Sequence, residues 1–289
     1  MARFSRRARL AASAPKARAE RRPPAVEGDL GIPQWTELIQ QFPDYVDAYV
    51  KRGILLFKTG RYDNALYDFN MALKLSSGHS KALFWRGCVF LAYKRWKDAA
   101  ADFQKVVVAE RSNVEALYYC AVALVELQDV DGALKCLDRA LAAKPDHAKA
   151  LGLRGELRVR RKDLDGALTD LAQAVEADPR NAPALAARAQ VHLLRGNFGK
   201  ALEDIAASLA LDPEQPQVYH DRGLILLRRQ DYPAAIADLE RALQRDASQP
   251  IDPRYAEAYL HRARAHAQAR RLDEAVEDFR AAASLNPQA

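Results

Sequence analysis

The chain has 289 residues, of which 49% are hydrophobic, so it is long enough and apolar enough to bury one or two cores. No apolar run approaches the roughly 18 residues that a membrane-spanning helix requires. The three cysteines lack CxxC spacing, which argues against a disulfide framework or a zinc site, and the net charge of +6 raises the question of a nucleic-acid partner.

The N-terminal segment, residues 1–27, is basic, rich in alanine and poor in acidic residues. Residues 1–22 hold eight basic residues and one acidic residue, which leaves the rest of the chain near neutral, so a nucleic-acid groove on the folded part is not favoured. Three interpretations of this arm stay open: a solvated disordered arm, a mitochondrial presequence, and a nuclear or acidic-surface tether. We expect a reducing, cytoplasmic location, with mitochondrial or nuclear targeting through the arm as alternatives.

Residues 28–45 predict a single helix, IPQWTELIQQF, from Ile32 to Phe42. Trp35, Leu38 and Ile39 fall on one face of that helix, which gives it an apolar side to bury. We interpret it as a half-repeat that caps the first of the paired helices that follow, because the end of a repeat array must cover its exposed core.

Residues 46–249 divide into six consecutive segments of 34 residues, and each segment predicts two antiparallel helices. Position 8 is always Gly or Ala and position 20 is always Ala, which would let two helix backbones approach closely. The segments are 46–79, 80–113, 114–147, 148–181, 182–215 and 216–249.

Residues 250–255, PIDPRY, interrupt this period and predict a stiff, bent connection because they contain two prolines. A seventh segment follows at 256–289. Its Ala283 stands where the six earlier segments have Leu or Val, which indicates either partial adaptation of an exposed end or an end that docks on another surface.

The first segment, VDAYVKRGILLFKTGRYDNALYDFNMALKLSSGH, carries the repeated pattern most completely. Its spacing of small, aromatic and apolar residues resembles the tetratricopeptide repeat (TPR). The residues that carry the resemblance are Ala48, Tyr49, Gly53, Leu56, Gly60, Tyr62, Ala65, Phe69 and Ala72.

The resemblance implies an all-α fold, a right-handed α-solenoid of seven helix-turn-helix repeats preceded by the capping half-repeat. It also implies a non-catalytic scaffold or adaptor that binds peptide segments of other proteins on its concave face. A regulatory or substrate-recruiting subunit of an enzyme assembly is the alternative.

Positions 7 and 23 change together along the chain. Six repeats carry Arg at position 7 and Asp at position 23, whereas the third repeat carries Cys120 and Cys136. Antiparallel helices bring these two positions to comparable heights, so we predict an ion pair in six repeats and a contact between cysteines in the third. Reduced thiols and a disulfide are both open for that contact. The predicted ion pairs are Arg52 with Asp68, Arg86 with Asp102, Arg154 with Asp170, Arg188 with Asp204, Arg222 with Asp238, and Arg262 with Asp278.

The sequence contains no nucleophile elbow, metalloprotease helix or phosphate-binding loop, and its six histidines are scattered. We therefore predict no enzymatic activity, cofactor or metal.

Members of this family line the concave face mainly with positions 2, 5, 9, 12 and 13 of the first helices. One subclass clamps acidic C-termini of chaperones with asparagines at positions 6 and 9, which are absent here, so we reject that partner. An apolar set in the first three repeats instead suits an amphipathic helix or an extended apolar segment, unless much of it is core between neighbouring repeats. The set is Val50, Ile54, Phe57, Phe84, Cys88, Leu91, Tyr118, Val122 and Val125.

Overall fold

The computed structural model of the protein describes residues 30–243 and 254–285, so the predictions for residues 1–27 lie outside it. The described residues form fifteen α-helices and no strand. None of the helices in this part of the chain is long and apolar enough to cross a membrane.

The helices follow the predicted 34-residue period. A lone helix, α1 (Ile32–Gln41), precedes seven hairpins. The first helices of the hairpins are α2 (Val46–Lys58), α4 (Ser80–Ala92), α6 (Val114–Glu126), α8 (Ala148–Arg160), α10 (Ala182–Leu194), α12 (Pro216–Arg228) and α14 (Arg254–Gln268). The second helices are α3 (Tyr62–Leu75), α5 (Trp96–Ala109), α7 (Val130–Ala143), α9 (Leu164–Ala177), α11 (Phe198–Leu211), α13 (Tyr232–Leu243) and α15 (Leu272–Leu285).

The last two residues of the predicted insertion, residues 250–255, are helical. Helix α14 begins at Arg254, so Arg254 and Tyr255 are helical, and residues 250–253 lie outside the described part. In the sequence Pro253 directly precedes α14, a place where proline is tolerated because the first turn leaves its N–H groups without helical partners.

Each hairpin turns through a residue with left-handed backbone conformation at position 15. Gly60 and Gly196 have φ of 75°, which glycine adopts without steric cost. In the first hairpin the next residue, Arg61, donates its N–H to the carbonyl of Leu56 at 2.9 Å, and the other hairpins repeat this bond. The other five hairpins place a non-glycine residue at position 15, with φ between 56° and 63°: Lys94, Gln128, Lys162, Gln230 and Arg270.

The small residues at positions 8 and 20 let the two helices of a hairpin approach closely. The alanines at position 20 are buried. A Cβ atom added at Gly53 would lie 2.7 Å from the ring of Phe69, and one added at Gly87 would lie 2.8 Å from the ring of Phe103. The side chain that fills the space beside position 8 is therefore the one at position 24.

The described helices fall into two compact bodies that divide between Arg111 and Ser112. In the first body, helices α1 to α5 pack in chain order and α2 also contacts α4. In the second, helices α6 to α15 pack in chain order, and α10 also contacts both α8 and α12. This packing of successive hairpins confirms the all-α solenoid class predicted from the sequence.

Helix α1 packs against α2 and buries Trp35 and Ile39. The indole Nε1 of Trp35 donates a hydrogen bond to the carbonyl of Leu30 at 3.1 Å, so the buried ring keeps its polar atom satisfied. These contacts are those expected of a half-repeat at the end of an array.

Candidate functional site

The arginine at position 7 and the aspartate at position 23 form a two-pronged ion pair in six hairpins. In each pair Nε and Nη2 donate to the two carboxylate oxygens, at 2.6 to 2.9 Å. The aspartate side chains are at most 10% exposed. Hydrogen bonding to the buried carboxylates raises the pKa of Arg52, Arg154, Arg188, Arg222 and Arg262.

Three of these arginines also bind the hairpin or helix that precedes their own. The Nη1 atom donates to a side-chain oxygen at position 25 of the preceding repeat, at 2.8 to 3.0 Å. The sequence analysis missed this contact because position 25 varies in residue type. The contacts are Arg52 to Thr36, Arg86 to Asn70, and Arg154 to Asp138.

In two hairpins a second basic residue, at position 11, lies beside the aspartate at position 23. Arg158 Nη1 lies 2.9 Å from Asp170 Oδ2, and His266 Nε2 lies 3.8 Å from Asp278 Oδ2. The sequence analysis did not connect these residues, because position 11 is apolar in the first three repeats. Asp170 is consequently held by two guanidinium groups.

The third hairpin places Cys120 and Cys136 where the other six hairpins have the ion pair. Both are free thiols, and the Cys120 thiol donates a hydrogen bond to the sulfur of Cys136. The structure therefore brings the two predicted cysteines into contact without joining them.

An aromatic cluster joins helices α2, α3 and α4 of the first body. The ring of Phe57 lies 5.3 Å from that of Trp85 and 5.4 Å from that of Tyr62, and Phe84 meets Trp85 edge to face at 5.7 Å. Trp85 and Tyr62 were not among the predicted binding residues. Neighbouring aromatic rings at such spacings provide large apolar area with little side-chain entropy to lose.

One predicted member of the concave set in the first body is core. Val50 is only 2% exposed, so it is packed inside the first body and cannot contact a partner. Ile54 and Phe57 pack in part against the buried cluster around Phe69. The members that stay half-buried are Ile54, Phe57, Phe84, Cys88 and Leu91, and we call these five residues with Trp85 the apolar face of the first body.

The three predicted members in the second body, Tyr118, Val122 and Val125, lie half-buried on α6. The Tyr118 ring is 5.1 Å from that of Tyr119, and burial raises the pKa of the Tyr118 hydroxyl to about 12. On α8, burial likewise raises the pKa of the Glu156 carboxyl. Helices α6 and α8 of the second body thus each carry a half-buried ionisable side chain, Tyr118 and Glu156.

Comparison with known protein families identifies the repeat. A model described as tetratricopeptide repeat matches residues 28–80, 84–148 and 220–289, and a second model with that description matches residues 121–192. The chain belongs to the tetratricopeptide repeat family.

Several solved structures share the fold. YrrB, described as a TPR protein with an unusual peptide-binding site, is 26% identical with a TM-score of 0.55, and the match covers 65% of this chain and 97% of YrrB. A TPR protein from Parabacteroides merdae is 19% identical (TM-score 0.61, covering 83% and 93%), and pilF of Pseudomonas aeruginosa is 20% identical (0.62, 73% and 93%). At 19% and 20% identity, the structures from Parabacteroides merdae and Pseudomonas aeruginosa show only that the fold is shared. No curated protein matches the chain.

Two histidines meet on the first helices of the sixth and seventh TPR hairpins. The ring centroids of His220 on α12 and His261 on α14 are 5.6 Å apart, and Asp221 Oδ1 lies 3.5 Å from His220 Nδ1. Burial, and then the neighbouring His220 and Arg264, lower the pKa of His261 to about 4, whereas Glu257 acts in the opposite direction. His261 is therefore neutral at pH 7.

We expect His261 to make the protein less stable as the pH falls below about 6.5. The unfolded chain then gains a proton that the folded His261 does not accept until the pH nears about 4, so the loss falls between these values. Between pH 7 and 5, urea unfolding should show that the variant His261→Gln loses about 1 kcal/mol less than the unchanged protein, which is about half of what the full pKa shift would give because solvent screens the half-buried ring. An equal loss in both proteins would contradict the assignment.

Proposed function

We propose that this TPR protein is a scaffold whose apolar face of the first body binds apolar or amphipathic peptide segments of other proteins. Membership of the family supports the general part of the proposal, a scaffold, because TPR proteins generally act as non-catalytic protein–protein interaction scaffolds. The observation that carries the finer proposal is the half-buried cluster in which the rings of Phe57 and Phe84 lie 5.3 and 5.7 Å from that of Trp85.

The chemistry of the face favours an apolar anchor over an acidic tail. Ile54 and Cys88 occupy position 9, so neither side chain offers the amide that could hold a carboxylate. Phe84 and Leu91 lie on α4 beside them and offer apolar surface only. A helix that inserts an apolar side chain between these residues would remove that surface from water, which is the main driving force in such grooves.

The similarity to YrrB supports the class of ligand but not its sequence. YrrB is described as having a peptide-binding site, and the alignment covers nearly all of that protein. The preference for apolar segments rests on the residues of this chain.

We expect Phe84→Ala to weaken binding of cognate peptides at least about tenfold, because buried aromatic anchors carry most of the energy of an interface. Peptides that bind the full chain would first be selected from a display library. Their affinities for the full chain and its variants would then be measured by calorimetry, with thermal melting to verify that each variant is folded.

Tyr67→Ser is the matched control. Tyr67 is 60% exposed and lies on the second helix α3, so losing this aromatic side chain should leave peptide affinity unchanged. Selected peptides that bind Phe84→Ala as tightly as the unchanged protein would refute the proposed face, and a selection that yields only acidic C-terminal peptides would refute the proposed ligand.

A further inference from the structure

The third hairpin lacks the ion pair and carries a pair of thiols instead. Cys120 on α6 and Cys136 on α7 occupy positions 7 and 23, the two positions that carry the ion pair in the other six hairpins. Helices α6 and α7 pack against each other as the helices of the other hairpins do, and the thiols are in hydrogen-bond contact. The hairpin thus places the two thiols within hydrogen-bonding reach of each other.

The two thiols differ in access and in acidity. Cys120 is only 1% exposed, and its hydrogen bond to Cys136 together with burial raises its pKa. Cys136 is half-buried, and the hydrogen bond that it accepts, aided by the positive charge of Arg139, lowers its pKa to about 7. Near neutral pH the sulfur that solvent reaches is therefore the one that carries the thiolate.

We propose that Cys120 and Cys136 form a reversible thiol–disulfide exchange site that reacts with small disulfides such as oxidised glutathione. This pairing of an accessible nucleophile with a buried partner is the arrangement that thiol exchange uses. In the other hairpins an ion pair joins the two helices whatever the redox conditions. In the third hairpin a disulfide would join them only under oxidising conditions.

The exchange balances in two steps. The Cys136 thiolate attacks one sulfur of oxidised glutathione, forms a mixed disulfide and releases one glutathione thiolate, which takes up a proton. Cys120 then loses its proton to solvent and attacks the Cys136 sulfur, which forms the Cys120–Cys136 disulfide and releases the second glutathione. The protein loses two electrons and two protons, and one glutathione disulfide becomes two thiols.

The closing step has to bring two sulfurs from hydrogen-bond contact to bonding distance. A disulfide sets its sulfurs about 2.05 Å apart with a dihedral angle near 90°. The bond would close a loop that contains the whole turn between α6 and α7, so it would restrict the unfolded chain.

The test uses the full chain with Cys88→Ala, so that Cys120 and Cys136 are the two remaining cysteines. After incubation with oxidised glutathione at pH 7.5, we expect the intact mass to fall by two hydrogen atoms. Non-reducing peptide mapping should recover one peptide pair that joins residues 120 and 136. Adding reduced glutathione should restore both thiols, and the oxidised form should melt several degrees above the reduced one.

Two further variants in the same background separate the roles of the sulfurs. Cys120→Ser should accumulate a stable glutathione adduct on Cys136, because no second thiol resolves it. Cys136→Ser should react with oxidised glutathione or iodoacetamide at least about tenfold more slowly, since its remaining thiol is buried and protonated. Disulfides only between different molecules, or a persistent adduct on the two-cysteine protein, would overturn the proposal.

Discussion

Asp170→Ala is expected to lower the free energy of unfolding by about 3 kcal/mol or more, measured by urea unfolding followed by circular dichroism. Asp170 is 3% exposed and accepts hydrogen bonds from Arg154 at 2.8 Å, and Arg158 lies 2.9 Å away. Removing the carboxylate leaves two largely buried guanidinium groups without their main counter-charge. The remaining partners of Arg154 and Arg158 keep the cost near the lower end of the range for buried pairs.

Asp138→Ala is the matched control for that result. Asp138 binds the same arginine at 2.8 Å, but its side chain is 59% exposed, so its loss should cost only about 0 to 1 kcal/mol. Comparing Arg154→Ala, Asp170→Ala and the double variant should reveal coupling of more than about 1 kcal/mol. Additive effects would mean that the two side chains do not stabilise each other.

Gly87→Ala is expected to destabilise the protein by about 2 kcal/mol. The added Cβ would lie 2.8 Å from the ring of Phe103, which is completely buried and also packs against Phe84 at 5.6 Å. The ring cannot move aside without disturbing the core of the second hairpin. The gain in helix propensity from glycine to alanine, about 1 kcal/mol, offsets only part of this strain.

Gly155→Ala provides the comparison at the same repeat position. Its Cβ would lie 2.6 Å from Leu171, but a branched aliphatic side chain can change rotamer more readily than a ring. The fifth repeat already packs Ala189 in one cluster with Ile205. We therefore expect Gly155→Ala to cost at least about 1 kcal/mol less than Gly87→Ala, and thermal or urea unfolding that ranks the two variants the other way would contradict this explanation.

The sequence predicted the hairpins well because a 34-residue period constrains every repeat at once. Six first helices begin at the first residue of the predicted segments, from Val46 to Pro216. The exception, α14, follows the one break in the period, where no neighbouring repeat fixes the register. Within a hairpin, positions 7 and 23 could be paired from the sequence because helix geometry alone relates their heights.

Contacts between neighbouring hairpins were harder to predict. The bond from Arg154 to Asp138 depends on how far apart two hairpins pack, which no single repeat encodes. Val50, one of the predicted concave residues, is 2% exposed, and such burial is hard to foresee because the neighbouring helices decide what a first helix buries. Trp85 was overlooked because position 6 is not among positions 2, 5, 9, 12 and 13, which mainly line the concave face in this family.

The arginine contacts between successive repeats have a consequence for cooperativity. Where position 25 carries an oxygen, one guanidinium links a hairpin to the element before it, which is helix α1 for Thr36 and a hairpin for Asn70 and Asp138. Opening one of these elements therefore breaks a bond of the next. In the fourth and fifth repeats the same position is Ala172 and Ala206, which offer no acceptor. Nearest-neighbour coupling sets how far local unfolding spreads along an array of repeats. The fifth and sixth hairpins, around Arg188 and Arg222, should accordingly fluctuate more independently than the hairpins that a shared arginine joins.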